Sequence, residues 1–175
     1  MAVYALGDRV PVIHETAYVH PDAVVIGAVT LGPESSVWPN AVLRGDYGRI
    51  EVGARTSVQD GTVLHTTEEW PTLIGADCVV GHNVHAEGCT VEDRCLIGSG
   101  SVVLNRARIG TGSIVGASAL VPEDLEVPPG SMALGVPARV RPMGEQTRHA
   151  DWLEEAVQLY VRNARDYRKS LRRLD

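Results

Sequence analysis

Aliphatic residues return almost every six positions between Ile74 and Val121: Ile74, Val80, Ala86, Val91, Ile97, Val103, Ile109, Val115 and Val121, with one step of five at Ala86 to Val91. Such a period fits neither an amphipathic helix nor a lone alternating strand. Two features ride on it. The residue after the aliphatic is Gly75, Gly81, Gly98, Gly110 and Gly116, and the residue two before it is small at Cys78, Cys89, Cys95, Ser101, Ala107, Ser113 and Ala119. Residues two apart on a strand share a face, so each repeat turns one large and one small side chain inward. Glycine is expected where the chain turns, because it reaches positive φ without a Cβ clash. Repeats of this kind wind into a β-helix, each short strand lying over its equivalent one coil earlier.

The period extends upstream through Ile13, Val19, Val25, Leu31, Val37 and Leu43, with Ala17, Ala23, Ser35 and Ala41 in the small slot. Gly45-Asp46-Tyr47-Gly48 reads as a turn that interrupts it. The period resumes at Val52, Val58 and Leu64, with Thr56 and Thr62 in the small slot, and Thr66 to Pro71 forms a second excursion. Pro128-Pro129-Gly130 and Gly135-Val136-Pro137 are expected to end the repeat, since proline cannot donate to a ladder. From near Thr147 the pattern changes. Leu153, Ala156, Val157, Tyr160, Ala164, Tyr167 and Leu171 recur at threes and fours, which predicts an amphipathic helix. The expected division is a β-helix over residues 1–141 and a helical segment over 142–175 that packs along it.

Composition agrees with a narrow coil: Phe is absent and aromatics are 5%, so the core is built from small and β-branched residues. The net charge of −6 argues against a nucleic-acid partner. No apolar run reaches membrane-spanning length and the N-terminus lacks the regions of a signal peptide, so the expectation is a cytoplasmic protein. Cys78, Cys89 and Cys95 all fall in the small inward slot, which predicts buried structural thiols rather than disulfides or metal ligands.

If three repeats close one triangular coil, Leu31, Val37 and Leu43 lie beside Val52, Val58 and Leu64, then Ile74, Val80 and Ala86, then Val91, Ile97 and Val103. This register stacks Arg44, His65 and Glu87 in one outward column, and Asp60 and His82 in another, with Gln59 beside Asp60. Polar residues that break a repeat rule together in one region mark a candidate site. The columns lie on different faces, so His65 and His82 share a ligand only if a second copy packs alongside. Cyclic packing of three prisms would create three equal sites.

Several segments resemble the γ-class carbonic anhydrase family of left-handed β-helix trimers. They are Val37-Trp38-Pro39-Asn40-Ala41-Val42-Leu43-Arg44-Gly45-Asp46, Val58-Gln59-Asp60-Gly61-Thr62-Val63-Leu64-His65, Val80-Gly81-His82, Gly88-Cys89-Thr90 and Gly135-Val136-Pro137-Ala138-Arg139. The left hand comes from this resemblance alone. The resemblance implies a mainly β, left-handed parallel β-helix with a C-terminal α-helix, assembled as a homotrimer with metal sites at its interfaces. It implies reversible hydration of CO2 to bicarbonate, a lyase reaction, with zinc as the metal and ferrous iron or cobalt as alternatives. His65 and His82 match two of the family's three histidine ligands. The third position is Glu87, and His85 stands two residues before it; register favours Glu87 and ligand chemistry favours His85. Arg44 and Asp46 match an intersubunit ion pair, Gln59 the residue that orients water, and Asp60 the same network. Tyr47 stands where the family prototype has a proton-shuttling glutamate, and a phenol, titrating at about 10, is a poor shuttle at neutral pH. Three rival readings stay open: a metal-binding trimer with weak or no hydratase activity, a hexapeptide acyltransferase with His65 or His82 as base toward a CoA thioester, and a binding or assembly module with the metal as clamp.

Overall fold

The computed structural model describes residues 2–144 and 149–175. The chain winds into a parallel β-helix whose short strands stack in three runs of ladder. One run carries Val63–His65, His85–Glu87, Val102–Val103 and Leu120–Val121. A second carries Thr72–Ile74, Thr90–Val91, Arg108–Ile109 and Glu126–Val127. The third carries Tyr18–Val19, Ser36–Val37, Ser57–Val58, Val79–Val80, Leu96–Ile97, Ile114–Val115 and Ser131–Leu134, and is closed by antiparallel Arg139–Pro142.

The expected register holds pair by pair. Leu31 faces Val52, Val37 faces Val58, and Leu43 faces Leu64. The next layer sets Ile74, Val80 and Ala86 under these, followed by Val91, Ile97 and Val103. The aliphatics form one continuous buried core, and Cys78, Cys89 and Cys95 are free thiols inside it. Burial pushes the Cys89 thiol up to about 12.

Three expectations are corrected. Gly45 to Gly48 is no turn: Val42–Val52 is one continuous strand that rounds a corner, paired with Val24–Leu31 through a register shift between Gly27 and Val29. A Cβ at Gly27 would run into the Gly45 carbonyl oxygen, so two glycines let the ladder bend without leaving its partner. The glycines that follow the aliphatics do not serve positive φ either. The left-handed positions fall two residues later and are mostly held by other residues, among them Asp77, Asn83, Arg94 and Ser118. Those glycines instead permit close approach of coils: a Cβ at Gly98 would stand 2.5 Å from the Ala117 nitrogen and 2.7 Å from the Gly116 carbonyl carbon. Pro128-Pro129-Gly130 does not end the repeat. Its prolines sit in a corner, where no ladder donor is missed, and Ser131–Leu134 adds a further parallel strand on Ile114–Val115.

The tail forms a helix, His149–Ser170. Its expected start near Thr147 lies outside the described residues. Leu153, Val157, Val161 and Ala164 are buried, and the helix contacts strands of the third run of ladder. Leu171 falls beyond the helix and is exposed, because the helix has already passed the edge of the coil. Trp38 fills the seam, with Tyr167 edge-on at 5.2 Å and its indole N–H donating to Ser57 Oγ at 2.9 Å.

Candidate metal centre

The site grows from the first run of ladder. Arg44 pairs with His65 and His65 with Glu87, so three outward side chains stand one above another as the repeat demands. Ala86 points into the core between His85 and Glu87, which leaves both of those outward on one strand. Glu87 Oε2 lies 3.4 Å from His65 Nδ1 and 3.4 Å from His85 Nε2. The carboxylate therefore sits between two imidazoles, and the two candidates for the third ligand converge on one point.

His65 is the most enclosed of the group, its side chain 14% exposed. Its Nε2 lies 3.0 Å from Asp46 Oδ1, while the other Asp46 oxygen accepts from the Arg44 guanidinium. Burial pushes the Asp46 carboxyl up, but the Arg44 and His65 hydrogen bonds outweigh it and hold it below the usual carboxylate range. In the single chain this Arg44–Asp46 pair is internal. Tyr47 is exposed and stands edge-on to His65, with ring centroids 6.1 Å apart.

The second column lies at the corner after Val79–Val80. His82 Nδ1 is 3.0 Å from Asp60 Oδ2, and its Nε2 has no partner among the described residues. Gln59 is buried beside this pair, and its amide makes no hydrogen bond among the described residues. No hydrogen bond or ion pair among the described residues joins this corner to the His65 cluster. One chain thus brings Arg44, Asp46, Tyr47, His65, His85 and Glu87 together and keeps Gln59, Asp60 and His82 apart from them.

Among the described residues no group of three or more His, Cys, Asp or Glu is arranged to hold a metal within one chain. The donor chemistry nevertheless fits a borderline divalent ion: imidazoles with a carboxylate are a sound catalytic set. His82 has the arrangement of an oriented ligand, one ring nitrogen held by a carboxylate and the other open.

Sequence reasoning missed Thr72. It is buried, and its hydroxyl donates to the His65 carbonyl and accepts the Gly88 N–H at 2.8 Å. The available signal was its position two before Ile74, a hydroxyl in the inward slot where the chain returns from the Thr66–Pro71 excursion.

Fold and site together define a hexapeptide-repeat β-helix protein. Residues 71–105 and 88–123 match the family model of the bacterial transferase hexapeptide (six repeats). Gamma carbonic anhydrase 1, mitochondrial, of Arabidopsis thaliana is 38% identical over 138 residues, 75% of this chain and 50% of that protein. The chain therefore spans half the length of this relative. Carnitine operon protein CaiE of Escherichia coli is 39% identical over 150 residues, 85% of this chain and 76% of that protein. A hexapeptide transferase family protein from Anaplasma phagocytophilum superposes with a TM-score of 0.90 at 32% identity, covering 95% of this chain and 98% of that one. The chain belongs to the hexapeptide-repeat family that includes gamma carbonic anhydrases and CaiE.

No helix among the described residues is long and apolar enough to cross a membrane.

Proposed function

We propose that the chain is a γ-carbonic-anhydrase-like, metal-dependent protein that reversibly hydrates CO2 at sites shared between copies in a homotrimer. His65 and Glu87 of one copy, with His85 beside them, and His82 of another would hold zinc, or ferrous iron or cobalt. Such an ion lowers the pKa of a bound water from about 15.7 to about 7, which supplies a nucleophile at neutral pH. The protein's own residues do the rest. Asp60 orients the His82 ring through Nδ1. Asp46, itself held by Arg44, fixes the His65 ring from the other side. The Gln59 side-chain amide has no hydrogen-bond partner among the described residues and can orient a water. Hydration releases one proton for each bicarbonate formed, and Tyr47, exposed and edge-on to His65, is a slow exit for it. The expected turnover is accordingly low.

The observation that carries this reading is the pairing of half-sites: a clustered His65, His85 and Glu87 on one face, and a carboxylate-anchored His82 with an open nitrogen on another. The same His82–Asp60 pair favours a second reading. A histidine oriented by a carboxylate is also a general base, and the matching family model is described as a transferase. Acyl transfer from a CoA thioester with His82 as base is that alternative.

The two separate in one set of assays. Metal content, stopped-flow CO2 hydration and acyl-CoA turnover are measured on the wild type, His65→Ala and His82→Ala. Metal near one per chain, lost in both variants together with hydration, supports the first reading. Acyl-CoA turnover that needs His82 but neither His65 nor metal supports the second. Metal-dependent stability without either activity would identify a structural clamp.

A further inference from the structure

We propose that Thr72 is a positioning residue that sets the distance between His65 and the His85–Glu87 strand; this rests on reading those residues as one half of the metal centre. His65 and Glu87 are each the last residue of their strands, and they form the last pair of that ladder. In a parallel ladder the next bond would run from the Gly88 N–H to the His65 carbonyl. It does not form directly. The Thr72 hydroxyl stands between the two, accepting from Gly88 N at 2.8 Å and donating to the His65 oxygen. The relay therefore holds the backbone immediately beyond both side chains of the half-site.

Its surroundings make the relay rigid. Thr72 is fully buried. The excursion that delivers it is pinned, Thr66 Oγ1 donating to the Trp70 carbonyl at 2.8 Å and Trp70 N–H donating to Thr67 Oγ1 at 3.0 Å. Arg106 lies over the Trp70 ring, 4.2 Å from its centroid, and its backbone N–H donates to the Gly88 carbonyl at 2.7 Å. Gly88 is thus fixed at its N–H by Thr72 and at its carbonyl by Arg106.

Other inward threonines also bond to backbone, which supplies a control. Thr56 donates to the Gly75 carbonyl at 2.6 Å and accepts the Cys78 N–H at 3.0 Å, so it ties two groups of a single neighbouring coil. Thr72 instead spans two coils, and both ends of its span adjoin proposed ligands.

The test compares Thr72→Val, Thr72→Ser and Thr56→Val in the full-length chain. Zinc affinity is read by competition with a chromophoric chelator. The ring-nitrogen signals of His65 and His85 are read by NMR on metal-free protein at one fixed pH. Thr72→Val is expected to weaken zinc about 10- to 100-fold, the range for a group that orients a ligand, and to move both ring signals. Thr72→Ser restores the wild-type values, and Thr56→Val moves neither readout. Should the valine variant fail to fold, Thr72→Ala carries the same comparison. The proposal is overturned if Thr72→Val leaves both readouts unchanged, or if Thr56→Val shifts them equally. A wild-type chain that binds no zinc defeats the metal reading, and the ring signals alone then decide whether Thr72 positions His65.

Discussion

Replacing Gly98 and Gly112 by alanine separates two reasons for glycine in this coil. At Gly98 the new Cβ would lie 2.5 Å from the Ala117 nitrogen, 2.7 Å from the Gly116 carbonyl carbon and 2.7 Å from the Val115 oxygen, all of them backbone atoms of the next coil. None can swing aside, so adjacent coils must part locally. Overpacking of this kind costs about 1–3 kcal/mol, and an obstacle made of backbone places Gly98→Ala at the upper end; the unfolded-chain freedom lost by any glycine-to-alanine change returns about 0.4–1 kcal/mol, leaving ~2–2.6 kcal/mol. At Gly112 nothing stands within 4 Å of the added carbon, but φ is +69°. The left-handed backbone costs alanine ~1–2 kcal/mol, and loss of unfolded-chain freedom returns about 0.4–1 kcal/mol. The net cost at Gly112 is therefore on the order of 0.5–1 kcal/mol, from the same principles. For a chain of this size each kcal/mol shifts the melting midpoint by about 2–4 °C. Thermal unfolding at one protein concentration should then show losses of ~4–10 °C for Gly98→Ala and ~1–4 °C for Gly112→Ala. Equal losses, or a larger loss at Gly112, would refute the claim that glycines following the aliphatics, such as Gly98, exist for close approach.

Glu87→Gln should reduce zinc affinity more than His85→Ala does, because Glu87 is the residue in ladder register with His65; chelator competition checks this, and the reverse order makes His85 the ligand. Acid unfolding should expose the Asp46 network. A carboxyl held below its usual range takes up its proton less readily folded than unfolded, so its stabilisation is intact above the ordinary aspartate value of about 3.9 and fades as pH falls through the lower folded value. Asp46→Asn should flatten that acid limb in a denaturation series against pH and leave the neutral limb's slope alone. Thiol labelling at pH 8 should leave Cys89 unmodified in the folded chain, where burial pushes its thiol up to about 12, and all three cysteines should react on unfolding.

The period alone located the stacked layers, since one aliphatic per repeat leaves a single register that buries them all. It also sets Glu87 beneath His65 and His82 on another corner. What it could not convey was how the chain passes its corners. Gly45 and Gly48 look like turn residues in a linear reading, yet Gly27, in the coil before, is what lets Val42–Val52 stay paired through the bend. That contact joins residues far apart in sequence. The purpose of the repeat glycines was misread for the same reason, because the obstacle to a Cβ belongs to the next coil. Val161 is a further buried helix position, and the role of Thr72 is not legible in the sequence because its partners, His65 and Gly88, meet only after the Thr66–Pro71 excursion has folded back.

The side chains of the candidate half-site lie on the strands that begin at Val42, Val63 and His85, each resting on the one before, with the Thr72 strand bracing the last two. Whole rungs added to or removed from either end of the stack would leave the separation of His65, His85 and Glu87 as it is. The height of such a stack can thus change while the candidate site keeps its dimensions, a decoupling that folds with interlocked cores do not offer.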